Sequence, residues 1–337
     1  MILLQMKILV LTDHRAHTVQ NSVYELVGML KKLRPDSDFY VASRGLEVNN
    51  DFFYEMNSKE VSVRRATEDF QFSADHQFYR SDLEVQGIAD FDWIILRLPR
   101  PIPIGFFDFL RDNFDEKRII NRPSGVEITG NKLFLLNYPQ WCPPMRHCRN
   151  TEDIQEFAAD FPIVLKPLED YGGRGLVKID GQKVWEGNIE TNLTTFFEKL
   201  KGGGSFEYLA MKYLSNVHLG DKRIMISNET ILGATLRLPP EGNWLCNVSQ
   251  GGRSVDSQPD ERETAIAFDL IKDIKKHGVV LFGFDTLTGD DGLRYLSEIN
   301  TLSLGGLAPA DKNSQIPIMK NAALGIWDYI SEIEKKA

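Results

Sequence analysis

The chain has 337 residues, of which 42% are hydrophobic and 26% charged, which is ordinary for a globular protein with room for two or three domains. A net charge of −9 argues against a broad nucleic-acid or anionic-membrane surface. The longest apolar runs are too short to span a membrane. The N-terminal MILLQMKILVLTD reads as a strand rather than a signal peptide, and three cysteines do not make a disulfide framework. We therefore expect a cytoplasmic protein that binds neither nucleic acid nor membrane.

The first 125 residues alternate between strand and helix patterns. MKILVLTD predicts a strand, and apolar residues at helical spacing from Val23 to Leu33 predict an amphipathic helix. DFYVAS, DWIILRLP and RIIN predict further strands, with a helix through FDFL. This alternation predicts an α/β domain with a mostly parallel sheet over residues 1–125. The turn TDHRAHT after the first strand contains no glycine, so the dinucleotide fingerprint is absent and we do not expect NAD binding.

The remaining residues have an α+β pattern with antiparallel strand pairs. FPIVLKPLEDYGGRGLVKI predicts a strand, a glycine-rich loop and a second strand. DKRIMISNETILGATLRL predicts two strands that turn at Ser227–Asn228. A helix ending near His277, a hairpin and a C-terminal helix near 315–334 complete the chain. The best linker candidate is KGGGS at 201–205, which divides this part into regions 126–205 and 206–337.

Two acidic residues face each other in the predicted hairpin GFDTLTGDDGLRYLSEIN. With Asp291–Gly292 as a two-residue loop, Asp290 pairs with Leu293, and the register then places Asp285 opposite Glu298, with side chains roughly 5 Å apart. Asn300 shares their face. Such close carboxylates repel unless a cation lies between them, and three oxygen ligands suit Mg²⁺. The alternative is a solvated hairpin end with a longer turn.

A glycine-rich loop and three arginines suggest anion binding. Glycines 172, 173 and 175 follow a strand that ends at Lys166–Pro167, and glycine lets backbone N–H groups approach phosphate oxygens. A mobile surface hairpin is the alternative. Arg223 and Arg237 lie on the two arms of one predicted strand pair, and Arg253 follows a glycine pair. They are either solvated charges or the groups that neutralise a triphosphate during phosphoryl transfer.

Histidine and cysteine residues offer two weaker metal-site hypotheses. His14 and His17 in DHRAH could bind a metal, although loop histidines more often cap the chain or contact substrate. Cys142 and Cys148 in CPPMRHC have the types of donor that zinc prefers, but the sequence shows no partner ligands.

Several short motifs in order resemble the ATP-grasp ligases, and most closely the bacterial glutathione synthetases. They are NKLFLL, VLKPLEDYGGRGLVKI, MKYLS with GDKRIMI, ATLRLP, NVSQGGR, and GFDTL with LSEIN. The resemblance covers nearly the whole chain and is strongest over about 120–305. It implies a pre-ATP-grasp domain at 1–125, a lid subdomain at 126–205 and a larger subdomain with the metal site at 206–337.

The resemblance also implies roles for individual residues. The ATP-binding residues would be Lys132 and Lys166 at the phosphates, the loop Gly172, Gly173 and Gly175 above them, the backbone of Met211, Lys212, Tyr213 and Leu214 at adenine, and Asp221 at ribose. Arg223 and Arg237 would stabilise the transferring phosphoryl group. Asp285, Glu298 and Asn300 would hold two ions of Mg²⁺, with Mn²⁺ as an alternative. Arg97, Asn247, Gly251, Gly252 and Ser303 would line the peptide site.

Two segments depart from the family pattern. Thr301-Leu302-Ser303-Leu304 stands where the family usually has Thr-Ser-Pro, and TDHRAHTVQNS replaces the family's first loop. The metal hairpin is also several residues longer than in the family. None of these differences affects the ATP or Mg²⁺ residues, but the first two concern the acceptor.

The resemblance implies an ATP-dependent carboxylate–amine ligase, with γ-glutamylcysteine and glycine as the first choice of substrates. The alternatives are a ligase for another amino acid or peptide, and a nucleotide-binding protein without turnover. The expected partners are a small molecule or short peptide and further copies of the chain, as a dimer or tetramer.

Overall fold

Three β-sheets organise the computed structural model, which describes residues 5–168, 175–239 and 253–336. The first sheet lies near the N-terminus and has the strand order β4-β3-β2-β1-β5-β6. Its strands are β1 Lys7–Thr12, β2 Asp38–Ser43, β3 Glu60–Arg65, β4 Glu84–Gly87, β5 Trp93–Arg97 and β6 Ile119–Ile120. The pairs β2–β1, β1–β5 and β5–β6 are parallel, whereas β3 and β4 extend the sheet in antiparallel fashion. The expectation of a mostly parallel sheet agrees with this arrangement, and the antiparallel extension was not foreseen.

Helices cover both faces of the first sheet. They are α1 Val23–Leu33 on one face, and α2 Asn50–Phe53 and α3 Phe106–Asn113 on the other. The apolar positions of α1 are buried as their helical spacing predicts. The C-terminal helix α9, Ile318–Glu334, packs against α1, and Trp327 Nε1 donates to the Leu30 carbonyl at 3.1 Å. The two ends of the chain therefore share one core.

The middle sheet is antiparallel throughout, with the order β11-β10-β9-β8-β12-β7. Its strands are β7 Met145–Cys148, β8 Ile163–Pro167, β9 Val177–Asp180, β10 Lys183–Glu186, β11 Ile189–Asn192 and β12 Tyr208–Lys212. Helices α4 Pro123–Gly130, α5 Thr151–Phe157 and α6 Leu193–Gly202 accompany this part of the chain. Because β12 pairs with β7 and β8, the sheet continues past the division expected at residue 205 and ends at Lys212.

The third sheet is also antiparallel, with the order β15-β14-β13-β16-β17. Its strands are β13 Asp221–Ser227, β14 Thr230–Leu238, β15 Arg253–Ser257, β16 Leu281–Thr288 and β17 Arg294–Asn300. Helices α7 Glu261–Ile274 and α8 Leu307–Asn313 also belong to this part of the chain. The predicted turn after Ser227 is present, and Asn228 there adopts a left-handed conformation with φ 52°. Within the described residues, no helix has both the length and the apolar character to cross a bilayer.

Asn121 joins the first sheet to the third. Its amide nitrogen donates to the carbonyls of Leu281 at 2.7 Å and Thr301 at 2.6 Å. Its amide oxygen accepts from the N–H groups of Val280 at 2.7 Å and Leu281 at 2.9 Å. The side chain is buried, so these contacts fix the end of β6 against the start of β16 and the residue after β17.

We expect Asn121→Ala to lower the free energy of unfolding by about 3 kcal/mol or more, because four buried backbone groups lose their partners. Urea-induced unfolding measures this change. The matched control is Asn137→Ala, whose exposed amide donates only to the Phe134 carbonyl and should cost no more than about 0.5 kcal/mol. Equal losses in the two variants would show that Asn121 does not hold the junction.

Candidate active site

Asp285 and Glu298 face each other across β16 and β17, as the sequence predicts. The predicted turn, however, is wrong. Gly289 N–H donates to the Leu293 carbonyl at 2.7 Å, so three residues form the loop, and of these only Gly292 has a positive φ, 81°. The longer loop shifts the pairing by one residue, and a bulge at Ser297 shifts it back before Glu298. The alternative of a longer turn is therefore correct for the loop, while the facing acids remain.

Two arginines neutralise Asp285, which is buried. Arg223 donates to both of its carboxylate oxygens, each at 2.8 Å, and Arg237 donates to Oδ2 at 2.8 Å. Arg237 also donates to both oxygens of Asp221, at 2.7 and 2.5 Å. Although burial opposes ionisation, the two guanidinium groups hold the pKa of Asp285 below its ordinary value. The arginines thus face inward on one side of the sheet and are not solvated charges.

Glu298 has a different environment. Among the described residues it has neither a hydrogen-bond nor an ion-pair partner. Burial, followed by repulsion from Asp285, raises the pKa of Glu298, while Lys132 and Lys166 act in the opposite direction. A carboxylate of this kind gains from a nearby cation.

The oxygen ligands predicted for Mg²⁺ lie together. Asn300 Nδ2 donates to Asp285 Oδ2 at 3.3 Å, and its amide oxygen supplies a neutral ligand beside the two acids. The donor set of Asp285, Glu298 and Asn300 therefore fits a hard divalent cation. Within 5–168, 175–239 and 253–336, no cluster of three or more His, Cys, Asp or Glu side chains offers another metal site.

The two lysines expected at the phosphates approach the same acids from other elements. Lys166, in β8, donates from Nζ to the Ser297 carbonyl at 2.7 Å, which connects the middle sheet to the bulge. Burial lowers the pKa of Lys166, and the negative charge of Glu298 partly offsets this effect. Lys132 starts a 3₁₀ turn at 132–137 and is buried near Glu298. The structure therefore gathers cations and acids from two sheets at one place.

The segment expected at adenine follows directly from β12. The N–H groups of Lys212 and Tyr213 donate to the carbonyls of Pro144 at 2.9 Å and Pro162 at 2.8 Å. Within the described part of the chain, the Leu214 N–H makes no hydrogen bond and is the donor left for a ligand. Met211 is buried. Asp221, expected at ribose, has both oxygens bonded to Arg237.

The residues expected at the peptide site are described only in part. Arg97 is buried, and its Nη2 donates to the Leu304 carbonyl at 2.8 Å. Ser303, which directly precedes Leu304, has a positive φ of 47°. Asn247, Gly251 and Gly252 lie outside the described residues. So do Gly172 and Gly173 of the loop expected above the phosphates, whereas Gly175 of that loop is described and has φ 65°.

His17 is a structural residue rather than a metal ligand. Thr12 Oγ1 donates to the Arg97 carbonyl at 3.3 Å and therefore accepts from His17 Nε2 at 2.9 Å. The other nitrogen, Nδ1, then accepts from the Tyr24 hydroxyl at 2.8 Å. The cysteine hypothesis also lacks support, because Cys142 and Cys148 are both buried free thiols in separate core clusters.

His17 should make the protein sensitive to acid. Burial, with His14 adding to it, lowers the pKa of His17 to about 4. Between pH 6.5 and 4 the unfolded chain binds more protons at this site, so stability falls as the pH falls, by roughly 3 kcal/mol in all. We expect the wild type to lose stability relative to His17→Gln as the pH falls from 6.5 to 4, and urea unfolding measures this difference. A difference that is constant with pH would exclude this role.

Sequence reasoning missed two groups of residues beside this site. Ser297 forms the bulge and donates from Oγ to the Asp285 carbonyl at 3.0 Å, and no local sequence pattern indicates it. On the opposite face of the sheet, Lys222 donates to Glu263 at 2.6 Å, and Thr286 donates to the same carboxylate at 2.5 Å. Lys222 follows Asp221 in sequence, and Thr286 follows Asp285. Because side chains alternate along a strand, the sequence predicts that Lys222 and Thr286 point to the opposite face of the sheet. It does not predict that Glu263 is their partner.

Comparison with known proteins agrees with this geometry. The family model for the ATP-grasp domain of prokaryotic glutathione synthetase matches residues 131–315, more than half of the chain. A glutathione synthetase from Bradyrhizobium diazoefficiens is 25% identical over 255 residues, which is 74% of this chain and 76% of that protein. One from Pseudomonas aeruginosa is 33% identical over 187 residues, 55% of each chain.

Solved structures show the same fold at low sequence identity. A D-cycloserine synthetase has a TM-score of 0.60 at 12% identity, covering 95% of this chain and 99% of its own. The D-alanyl-alanine synthetase A of Vibrio cholerae has a TM-score of 0.60 at 13% identity, covering 97% and 98%. The fold is therefore that of the ATP-grasp proteins. The chain belongs to the prokaryotic glutathione synthetase ATP-grasp family and is an ATP-dependent ligase that forms a carbon–nitrogen bond.

Proposed function

We propose that the chain is a glutathione synthetase, which joins γ-glutamylcysteine to glycine and converts ATP to ADP and phosphate. The observation that carries this proposal is the group of charges on one face of the third sheet. Asp285 and Glu298 face each other there, Arg223 and Arg237 lie beside them, and Lys166 reaches the group from the middle sheet. Phosphoryl transfer needs cations of this kind around the phosphates.

The proposed ATP site takes its contacts from two parts of the chain, residues 126–205 and 206–337. Lys132 and Lys166 contact the phosphates, beneath the loop that contains Gly172, Gly173 and Gly175. Leu214 N–H and the neighbouring backbone of residues 211–213 bind adenine. Asp221 binds ribose and, through its ion pair with Arg237, orients that guanidinium toward the phosphates.

The chemistry has two steps. The cysteine carboxylate of γ-glutamylcysteine attacks the γ-phosphorus of ATP, the bond from that phosphorus to the bridging oxygen breaks, and ADP leaves. The glycine amine then attacks the acyl carbon, loses a proton, and expels phosphate that carries one former carboxylate oxygen. Arg223 and Arg237 stabilise the negative charge on the transferring group. Arg97, Ser303, Asn247, Gly251 and Gly252 hold the peptide.

The proposal assigns Asp285, Glu298 and Asn300 to two Mg²⁺ ions, with Mn²⁺ as a substitute. When bound, such ions would neutralise the phosphates and orient them. Because Arg223 and Arg237 already occupy the oxygens of Asp285, a cation there has to share this carboxylate or displace an arginine. We also propose a homo-oligomer located in the cytoplasm.

A ligase for another carboxylate and amine is the second candidate, favoured by the two segments in which the sequence departs from the family. A protein without turnover is disfavoured because both lysines, both arginines and the three oxygen ligands are present.

The purified protein should form glutathione from Mg²⁺, ATP, γ-glutamylcysteine and glycine, with one ADP released per glutathione. Mass spectrometry of the products and a coupled ADP assay measure the two yields. Omission of glycine is the control and should remove steady ADP release. ATP binding without product would reject this substrate pair, and a panel of amino acids and dipeptides would then identify the acceptor.

A further inference from the structure

The carboxyl ends of three parallel strands of the first sheet form one edge next to the active site. Thr12, at the end of β1, pairs with Ser43 at the end of β2 and with Arg97 at the end of β5. Ligands commonly bind at this edge of a parallel sheet. The segment after Asn300 leads directly to it, because the Leu304 carbonyl accepts from Arg97.

Both segments that depart from the family meet at this edge. Ser22, in the loop after β1, accepts at Oγ from the N–H of Ala308 at 3.0 Å, and Leu304 bonds to Arg97. Ala308 lies four residues after Leu304, and Arg97 pairs with Thr12 at the start of the other segment, so the two segments reach this edge through neighbouring residues.

His14 presents a fixed hydrogen-bond donor at the edge. Ser43 Oγ accepts from the N–H groups of His14 and Gly45, each at 3.1 Å, so its own proton is directed to His14 Nδ1 at 2.6 Å. The imidazole must therefore carry its proton on Nε2. Its ring stacks on Tyr79 with centroids 4.5 Å apart. Nε2 has no hydrogen-bond partner among the described residues.

Arg97 presents an uncompensated positive charge at the same edge. Its side chain is 6% exposed, and its Nε is buried with no partner in the described part of the chain. None of the described acids forms an ion pair with it. Burial lowers the pKa of Arg97 to about 10, so the guanidinium is still charged at neutral pH. A buried cation with an unused donor is stabilised by an anionic ligand.

We propose that His14, oriented by Ser43 and Tyr79, acts with Arg97 to bind a carboxylate at the end of the acceptor that is remote from the reacting carboxylate, and so selects the acceptor. This inference rests on the proposed function. His14 follows β1 by two residues, and β1 pairs directly with β5, where Thr12 lies opposite Arg97, so one strand spacing of about 4.8 Å separates the two elements that carry these side chains. In γ-glutamylcysteine the remote carboxylate is the α-carboxylate of the glutamyl residue.

A comparison of two acceptors in two proteins tests the proposal. The acceptors are γ-glutamylcysteine and 4-aminobutanoylcysteine, which lacks only the remote carboxylate. The variant His14→Phe keeps a ring to stack on Tyr79 but has no Nε2–H. We expect wild type to prefer γ-glutamylcysteine by ~10–100-fold in kcat/KM, and the variant, in which Arg97 is retained, to lose ~5–10-fold of that preference. His14→Gln keeps a donor near the Nε2 position and should restore part of the preference.

Three readouts separate the outcomes. ATP affinity, measured by calorimetry, should be the same in wild type and variants, which shows that the fold and nucleotide site are intact. His147→Gln replaces a histidine whose ring, within the described ranges, bonds only to exposed Glu207, and this variant should keep the wild-type preference. Equal preferences in wild type and His14→Phe would overturn the role of His14 while leaving the proposed function standing. No product from wild type with γ-glutamylcysteine would overturn both.

Discussion

Replacing Glu298 by glutamine is expected to reduce ATP-dependent turnover by at least about 10²-fold while leaving the protein at least as stable as the wild type at pH 7. No described side chain forms a hydrogen bond or ion pair with the Glu298 carboxylate. Its negative charge is destabilised by burial and by Asp285. Removing the charge therefore removes a ligand for a cation without removing a contact. Steady-state ADP release and urea unfolding measure the two effects.

Asp285→Asn should also abolish turnover, but with a loss of stability of roughly 2–3 kcal/mol, because Arg223 and Arg237 lose their shared carboxylate. The position of the two facing acids predicts the same loss of turnover for both variants. The arginine contacts of Asp285 predict a loss of stability for Asp285→Asn alone. Normal turnover in either variant would reject the metal assignment. A stability loss in Glu298→Gln as large as that in Asp285→Asn would reject the difference in their environments.

The stability effect of Glu298 should depend on pH in a definite direction. Its pKa is raised above the ordinary 4.5, so the folded protein binds more protons at this site than the unfolded chain once the pH exceeds that value. The wild type therefore loses stability relative to Glu298→Gln as the pH rises from 4.5 through the raised pKa. Unfolding of both proteins between pH 4 and 8 checks this sign.

On the opposite face of the same strands, Glu263→Ala is expected to cost about 3–5 kcal/mol, because it leaves Lys222 as a buried charge without its partner. Glu263 is fully buried, accepts from Lys222 and Thr286, and completes the cap of α7 by accepting from the Asp260 N–H at 2.9 Å. The expected result is a large fall in the midpoint of urea unfolding with little change in KM for ATP under conditions where the variant is folded.

Two further variants make this expectation specific. Glu261→Ala removes an exposed acid from the first turn of the same helix and should cost less than about 1 kcal/mol. Arg294 Nε also lies 3.6 Å from Glu263 Oε1, so adding Lys222→Met to Glu263→Ala removes one of two stranded cations and should recover part of the lost stability. If Lys222→Met lowered the stability of Glu263→Ala by as much as it lowers the stability of the wild type, the ion pair would not explain the loss.

The sequence predicts most of the elements because local patterns determine them. The continuous apolar run in MKILVLTD and the helical spacing from Val23 to Leu33 both match the structure. The sequence also predicts correctly that Asp285 lies opposite Glu298, although the predicted two-residue turn is wrong. The three-residue loop and the bulge at Ser297 each shift the register by one residue and cancel, and no local pattern indicates a bulge.

Contacts between distant segments could not be predicted. Strand β12 reads as any apolar strand, and only its pairing with β8 and β7 assigns it to the middle sheet. Asn121 ends the strand predicted at RIIN, and no local pattern indicates that it bonds to Leu281 and Thr301 across the junction. The neutralisation of Asp285 by arginines depends on the register of three strands at once. These features arise from tertiary packing rather than from propensity.

Transfer of oxygen from the acceptor to phosphate tests the central claim most directly. γ-Glutamylcysteine labelled with ¹⁸O in its cysteine carboxylate is incubated with the protein, Mg²⁺, ATP and glycine, and the inorganic phosphate is analysed by mass spectrometry. The proposed acyl-phosphate route predicts one ¹⁸O in phosphate for each glutathione formed, together with ADP. Glutathione formed with unlabelled phosphate, or with the label in AMP, would contradict the account.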